Sequence, residues 1–373
     1  MDRSTLPSYN WSDFRSRNLW QIRQNPNMKQ TSLALAVLCI YSSLLELRAQ
    51  GLVNKAAADN TAVDIPLNAA SASHLAAAPQ VRDSAESSPT KSTNADQLIL
   101  HAAKILPQYQ SIQAKIRQRI DLYEKSMVGS GIYVQQQGRG GDLLLRLELK
   151  MVLSDQSLGS FLQVCDGPNL WTYQDQGDRP SSLTRIDMQQ VRAAWERSDP
   201  WIRSGGIGSL GLGGIPRMLT GMTQSFQFTE AEQTQLEGFP VWIVRGGWQP
   251  AKLATMLPDQ KDALAKGEPA NLRDLPKQVP WAVEVVLGRD DFFPYRVKYL
   301  RPPAKKEKAL GKASLTEILA ASSAIATLEF FEVKLNSPLD GQPFVYQPGM
   351  IEAVDKTESV LKAFGLTEAG ATK

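Results

Sequence analysis

The chain has 373 residues, 42% of them apolar, with 41 Lys and Arg against 38 Asp and Glu, two His and two Cys. Six of the basic and three of the acidic residues lie in the first 49, so the remainder carries 35 of each sign and offers no positive field for a nucleic-acid partner. His74 and His101 are too few for a histidine-rich metal centre, and Cys165, the one cysteine beyond residue 49, has nothing to pair with in an internal disulfide.

The first interpretable segment begins at Met28. Met28-Lys29-Gln30-Thr31 leads into the apolar run Ser32 to Leu47, and Leu47-Arg48-Ala49 offers a cut before Gln50. A short basic stretch, an apolar stretch and a small residue at the cut are the parts of an export signal. The run is about 15 residues long, against the roughly 20 that a membrane-spanning helix needs. Residues 1–49 are therefore expected to be an N-terminal extension and cleaved signal with its true start at Met28, a retained signal anchor being the alternative. Cys39 sits inside the apolar run behind Leu38, which is not the small residue that a lipidation site wants. The expected location is the periplasm or cell envelope.

Residues 50–94 are Ala, Ser, Thr, Asn and Pro with few large apolar side chains. Such a stretch cannot offset the entropy of ordering and is expected to be a disordered leader. Residues 95–373 are then expected to form one domain. Asn94 or Asp96 can cap a helix in which Leu98, Ile105, Ile112, Ile116 and Ile120 recur at roughly helical spacing, with Pro107 a kink or break. After Gly129 and Gly131 the period becomes two: Ile132 and Val134 alternate with Tyr133 and Gln135. In Asp142 to Leu153 the residues Leu143, Leu145, Leu147, Leu149, Met151 and Leu153 share one face, and Arg146, Glu148 and Lys150 the other.

Further strands are expected at Ser160 to Cys165, Leu170 to Tyr173, Ser225 to Thr229, Pro240 to Arg245, Trp281 to Leu287, Phe292 to Leu300 and Ala324 to Leu335. Asp166-Gly167-Pro168-Asn169 and Gly288-Arg289-Asp290-Asp291 between them suit antiparallel hairpins. Helices are expected at Met188 to Arg197, Ile215 to Met222, Ala251 to Lys266 and Lys356 to Phe364. A sheet this long must curl, and helices must cover its apolar face.

Several segments then fall into a known order. These are Gly129-Ser130-Gly131-Ile132-Tyr133, the long alternating strand, Cys165-Asp166-Gly167-Pro168-Asn169-Leu170-Trp171-Thr172-Tyr173, Phe293-Pro294-Tyr295-Arg296-Val297, and Phe330 to Asn336 ahead of Phe344-Val345-Tyr346-Gln347-Pro348-Gly349. In this order the chain resembles the LolA-type lipoprotein carriers over most of residues 95–364. It departs from them in extra material at Trp195 to Thr223 and Ala251 to Val279, and in having no residue equated with the carrier's lid-binding arginine. The resemblance implies an α+β fold, a curved antiparallel half-barrel with helices on its concave face.

The function expected is non-catalytic: reversible burial of lipid, lipoprotein acyl chains or another amphiphile. The candidate wall is Leu143, Leu145, Leu147, Leu149 and Met151, and the candidate lid is Gly208, Gly211, Gly213, Ile215, Met218 and Leu219. The alternative is an envelope interaction or sensing module whose half-barrel is filled by its own side chains. No cofactor is implied. Gly206 to Gly211 matches G-x-G-x-x-G but lacks the preceding strand that a dinucleotide site requires. Asp290-Asp291 reads as a hairpin turn, and Cys165 as a small buried residue. Lys305, Lys306 and Lys308 form a basic run, read as a loop able to meet anionic headgroups or an acidic envelope partner.

Overall fold

A computed structural model describes residues 94–366 apart from 123–124, 139–141, 154–155, 176, 178–179, 198–209, 340–342 and 364–365. The expected export signal, the expected leader with His74, and Gly208 lie outside the described residues. Helix α1 (Ala95–Ile105) starts at Asn94, whose Oδ1 accepts from the Asp96 N–H at 3.1 Å, and gives way to a tight turn, Leu106–Gln108, at Pro107. Six strands follow: β1 (Ser111–Leu122), β2 (Lys125–Gln137), β3 (Leu143–Leu153), β4 (Gln156–Cys165), β5 (Asn169–Asp175) and β6 (Ser182–Asp187). Helices α2 (Met188–Arg197) and α3 (Leu210–Ser225) lead to β7 (Phe226–Leu236) and β8 (Phe239–Trp248). Then come α4 (Pro250–Met256), α5 (Lys261–Ala265), β9 (Ala282–Gly288), β10 (Pro294–Arg301), α6 (Ala304–Leu310), α7 (Leu315–Ala321), β11 (Ser323–Leu335), β12 (Val354–Asp355) and α8 (Thr357–Ala363).

All twelve strands form one sheet in the order β12-β6-β5-β4-β3-β2-β1-β11-β10-β9-β8-β7. Every pairing is antiparallel except that of β12 with β6. The pairing of β11 with β1 joins the meander β1–β6 to the strands β7–β10. The sheet is curled, as its helices show: α3 runs directly into β7 yet also contacts β3 and β4. Eight strand spacings separate β4 from β7 in the sheet order. Laid flat they would span about 38 Å, and a 16-residue helix reaches only about 24 Å. The architecture is the expected α+β one, a large open antiparallel sheet with helices against one face.

Three elements differ from the sequence reading. The first helix stops at Ile105, and Ile112, Ile116 and Ile120 belong to β1 instead. Steps of four satisfy a period of two as well as a helical one, and Lys115, Arg117 and Arg119 on the intervening positions mark the exposed face of a strand. Gly129 and Gly131 lie within β2 rather than before a strand, and a Cβ at Gly131 would collide with the Glu148 backbone of β3. The lysine run is helical, in α6, where a loop was expected.

Register fixes which side chains face the helices. Leu145, Leu147, Leu149 and Met151 of β3 stand beside Gln135, Tyr133, Gly131 and Gly129 of β2, and Leu145, Leu147 and Leu149 beside Cys165, Gln163 and Phe161 of β4. Tyr133 and Gln135 are thus on the helix side, and Ile132 is left 39% exposed. The apolar members of this row form one core cluster with Leu98, Ile99 and Ala102 of α1 and Ile215, Met218, Leu219 and Met222 of α3.

Candidate functional site

The β3 row lies at the floor of the concave side. Leu145, Leu147, Leu149 and Met151 are 0 to 5% exposed, and Leu143 at the strand's start is half-buried. What covers them is the molecule's own α3, which packs in turn against α1. Ile215, Met218, Leu219 and Met222 recur at helical spacing and supply the apolar underside of α3, each 5% exposed or less. Two of these four are methionines, whose unbranched thioether chains repack readily.

The cover is not a continuous helix. Gly214 has φ 66° and ψ −165°, which breaks α3 just before Ile215. Only glycine adopts this backbone without strain. Beneath the break is a polar contact that the surrounding apolar row gives no reason to expect. The Tyr133 hydroxyl donates to Gln135 Oε1 at 2.5 Å and accepts from the Ile215 N–H at 3.2 Å, so it satisfies a backbone donor that the break would otherwise orphan. Burial pushes the Tyr133 phenol well above its ordinary range, which keeps it neutral and able to donate. A Cβ at Gly214 would collide with Gln135, and one at Gly211 with Gln163. Gln163 in turn donates from Nε2 to Thr172 Oγ1 of β5 at 3.2 Å. Gly211 and Gly214 of α3 therefore rest on a polar stripe of β2 and β4, and its apolar half rests on β3.

The structure brings the expected wall and the expected lid residues Gly211, Ile215, Met218 and Leu219 to one place, while Gly213 faces outward. There the Arg217 side chain lies against it. Arg217 places its guanidinium 3.6 Å over the ring of Trp195 in α2, and burial lowers its pKa to about 10. The lysines of the basic run are elsewhere, exposed on α6. Their neighbour Glu307 turns inward to accept from Arg301 Nε at 2.6 Å, and Arg301 also donates to the carbonyls of Pro276 and Val279.

The remaining sequence candidates are structural. Cys165 is buried in the core and its thiol is pushed up by burial. Asp291 accepts from the Phe293 N–H and the Tyr295 hydroxyl, holding the β9–β10 turn, and His101 packs its ring edge on Phe292. Among the described residues no three His, Cys, Asp or Glu side chains gather as a metal site would require. Sequence reasoning missed Tyr133, Gln135, Gln163 and the Arg217–Trp195 pair. For Gln135 there was a signal, since it shares strand parity with Tyr133 and a glutamine facing a core needs a partner.

No family model matches the sequence, and no curated protein matches it. Solved structures do. The chain matches proteins of the LolA-like fold. One is a putative outer membrane lipoprotein-sorting protein domain from Vibrio parahaemolyticus, at 11% identity over 67% of this chain and 97% of that one, TM-score 0.27. Another is Mycobacterium tuberculosis lipoprotein LppX, at 10% identity over 66% and 97%, TM-score 0.30. A third is MucB from the Pseudomonas aeruginosa MucA/MucB complex, at 9% identity over 68% of this chain and 62% of that one, TM-score 0.34. The architecture given above rests on the sheet order and register, not on these likenesses.

Proposed function

We propose that this chain is an exported binding protein that reversibly buries the acyl part of a lipid, a lipoprotein or another amphiphile between β3 and α3, without covalent chemistry. The observation that carries the reading is the broken cover: an apolar, methionine-rich helical face laid on an apolar wall and hinged at a glycine with φ 66°. Energetics favour long chains. Lifting α3 uncovers four large side chains at about 1.5–3 kcal/mol each, on the order of 6–12 kcal/mol in all. A 16-carbon chain buried at roughly 0.8 kcal/mol per methylene returns on the order of 12 kcal/mol. An 8-carbon chain returns about 6 kcal/mol, no more than the low end of that cost. The exposed Lys305, Lys306 and Lys308 on α6 would hold the protein at an anionic membrane surface or against an acidic envelope partner during loading.

A second reading has its own observation. Four of the five wall residues are already 0 to 5% exposed beneath the chain's own helix, as in a filled half-barrel serving as an interaction or sensing module. Native mass spectrometry of the purified exported protein, together with uptake of a fluorescent long-chain fatty acid, separates the two. The carrier predicts a one-to-one adduct and saturable uptake that an 8-carbon acid does not compete. A protein that carries no adduct and takes up no probe is the filled module.

A further inference from the structure

The segment between β6 and β7 holds a cation that no carboxylate among the described residues pairs. Arg146, Arg192, Arg245 and Arg301 are each met by a carboxylate: Glu148, Asp142, both Glu232 and Glu284, and Glu307 respectively. Arg217, sheltered enough for its pKa to fall to about 10, meets no carboxylate among the described residues. Its contact is the Trp195 ring, 3.6 Å away. A guanidinium stacked on an indole keeps its in-plane N–H fork free, and that fork matches the two oxygens of a carboxylate or phosphate.

Its position relative to the wall is specific. Arg217 projects from the side of α3 opposite Ile215, Met218, Leu219 and Met222, and its stem lies against Gly213. The next residue, Gly214, faces Tyr133 and Gln135 on the sheet. At these two glycines the cover is bare backbone, so one peptide's thickness separates the outer arginine from the inner floor. A chain threading the break would leave its headgroup at Arg217.

We propose that Arg217, backed by Trp195, is the oxyanion site for the carboxylate or phosphate headgroup of the amphiphile whose chain lies under α3. This rests on the carrier reading and narrows it to anionic amphiphiles. Both residues lie in Trp195 to Thr223, the stretch expected from the sequence to be extra to the LolA-type pattern.

The test compares palmitate, hexadecyl phosphate and neutral hexadecanol as competitors of an uncharged fluorescent lipid probe on the full exported protein. The two anions bind the wild type about tenfold or more tighter than the alcohol, the worth of one charge-assisted pair. Arg217→Met brings both anions down to the alcohol's affinity and leaves the alcohol where it was, which also reports that the variant is folded. Arg217→Lys, which keeps the charge but loses the fork, recovers only part of the preference. Equal binding of acid and alcohol by the wild type overturns the proposal without recourse to any variant, as does a preference that survives Arg217→Met. Displacement of palmitate by millimolar inorganic phosphate also overturns it, by assigning Arg217 to a free anion. If none of the three lipids binds, the carrier reading itself fails.

Discussion

On its concave face the sheet is covered by two helices that fuse with it into one core of more than ten large side chains. Its other face, over β2 to β6, is crossed by a segment whose described residues before β12 form no helix or strand. That segment leaves β11 at Asn336, passes Pro343, whose carbonyl accepts from Arg146 Nη1 at 3.0 Å, stacks Tyr346 near Trp171, and ends as the two residues of β12 on β6. Val134, Val164 and Leu183 beneath it, and its own Phe344, are buried, but none of them belongs to the core under the helices. The concave cover thus holds by apolar area with one polar latch at Tyr133, whereas the outer strap holds by a few directional contacts spread along its length. A helix presents a continuous apolar stripe and can slide or lift as a unit; an irregular strap has to be pinned point by point.

The sharpest way to break this contrast is to cut into the concave core. Leu145→Ala should cost about 2–5 kcal/mol in chemical denaturation, as fully packed leucines do. A cost below about 1 kcal/mol would mean that the wall faces an open cavity and not the helices. On the outer face Phe344→Ala should cost about 1.5–3 kcal/mol, the transfer value of one side chain in a small cluster. Its signature is spatial: hydrogen exchange should rise in β12 and α8 but not in α1. If α1 loosened equally, the two faces would be a single cooperative unit.

Tyr133→Phe tests the latch between them. Removing the hydroxyl leaves the Ile215 N–H and Gln135 without their partner, at about 1–3 kcal/mol, and should speed exchange of the Ile215 amide and uptake of a fatty-acid probe. The smallest effect belongs to the strap's last pin. Asp355 is held at a pKa of about 2 by its hydrogen bonds to Thr357 and to Arg185. A carboxyl depressed in the folded state stabilises above its unfolded value and loses that contribution as pH falls through its folded one. The β12–β6 pairing should therefore loosen between about pH 4 and pH 2, by a few tenths of a kcal/mol because the pair is exposed. The Lys356 amide, which donates to the Arg185 carbonyl, reports it by NMR.

The contrast also marks what sequence can convey. β3 was legible because its leucines alternate with Arg146, Glu148 and Lys150, and α2 because its apolar residues keep helical spacing. β1 was misread because Ile112, Ile116 and Ile120 fit both periods, and the register that sets Ile116 between Gly131 and Phe330 is a long-range fact. The wall and cover were anticipated as separate stretches. What joins them was not: Tyr133 and Ile215 are 82 positions apart, and nothing local to either announces the bond. The strap's Phe344 to Gly349 motif was recognised as a segment, but without periodicity it carried no information about the face it would cross. Arg217 and Trp195 likewise meet only through the packing of two helices.

The most direct test of reversible burial beneath α3 is hydrogen exchange at the Ile215 amide, measured with and without one equivalent of palmitate on protein whose one-to-one adduct is confirmed by native mass spectrometry. Burial under the cover predicts that palmitate displaces the underside of α3, so that the Ile215 amide loses the Tyr133 oxygen and exchanges faster while the amides of α1 do not. An adduct that leaves Ile215 exchange unchanged, or no adduct at all, would contradict it.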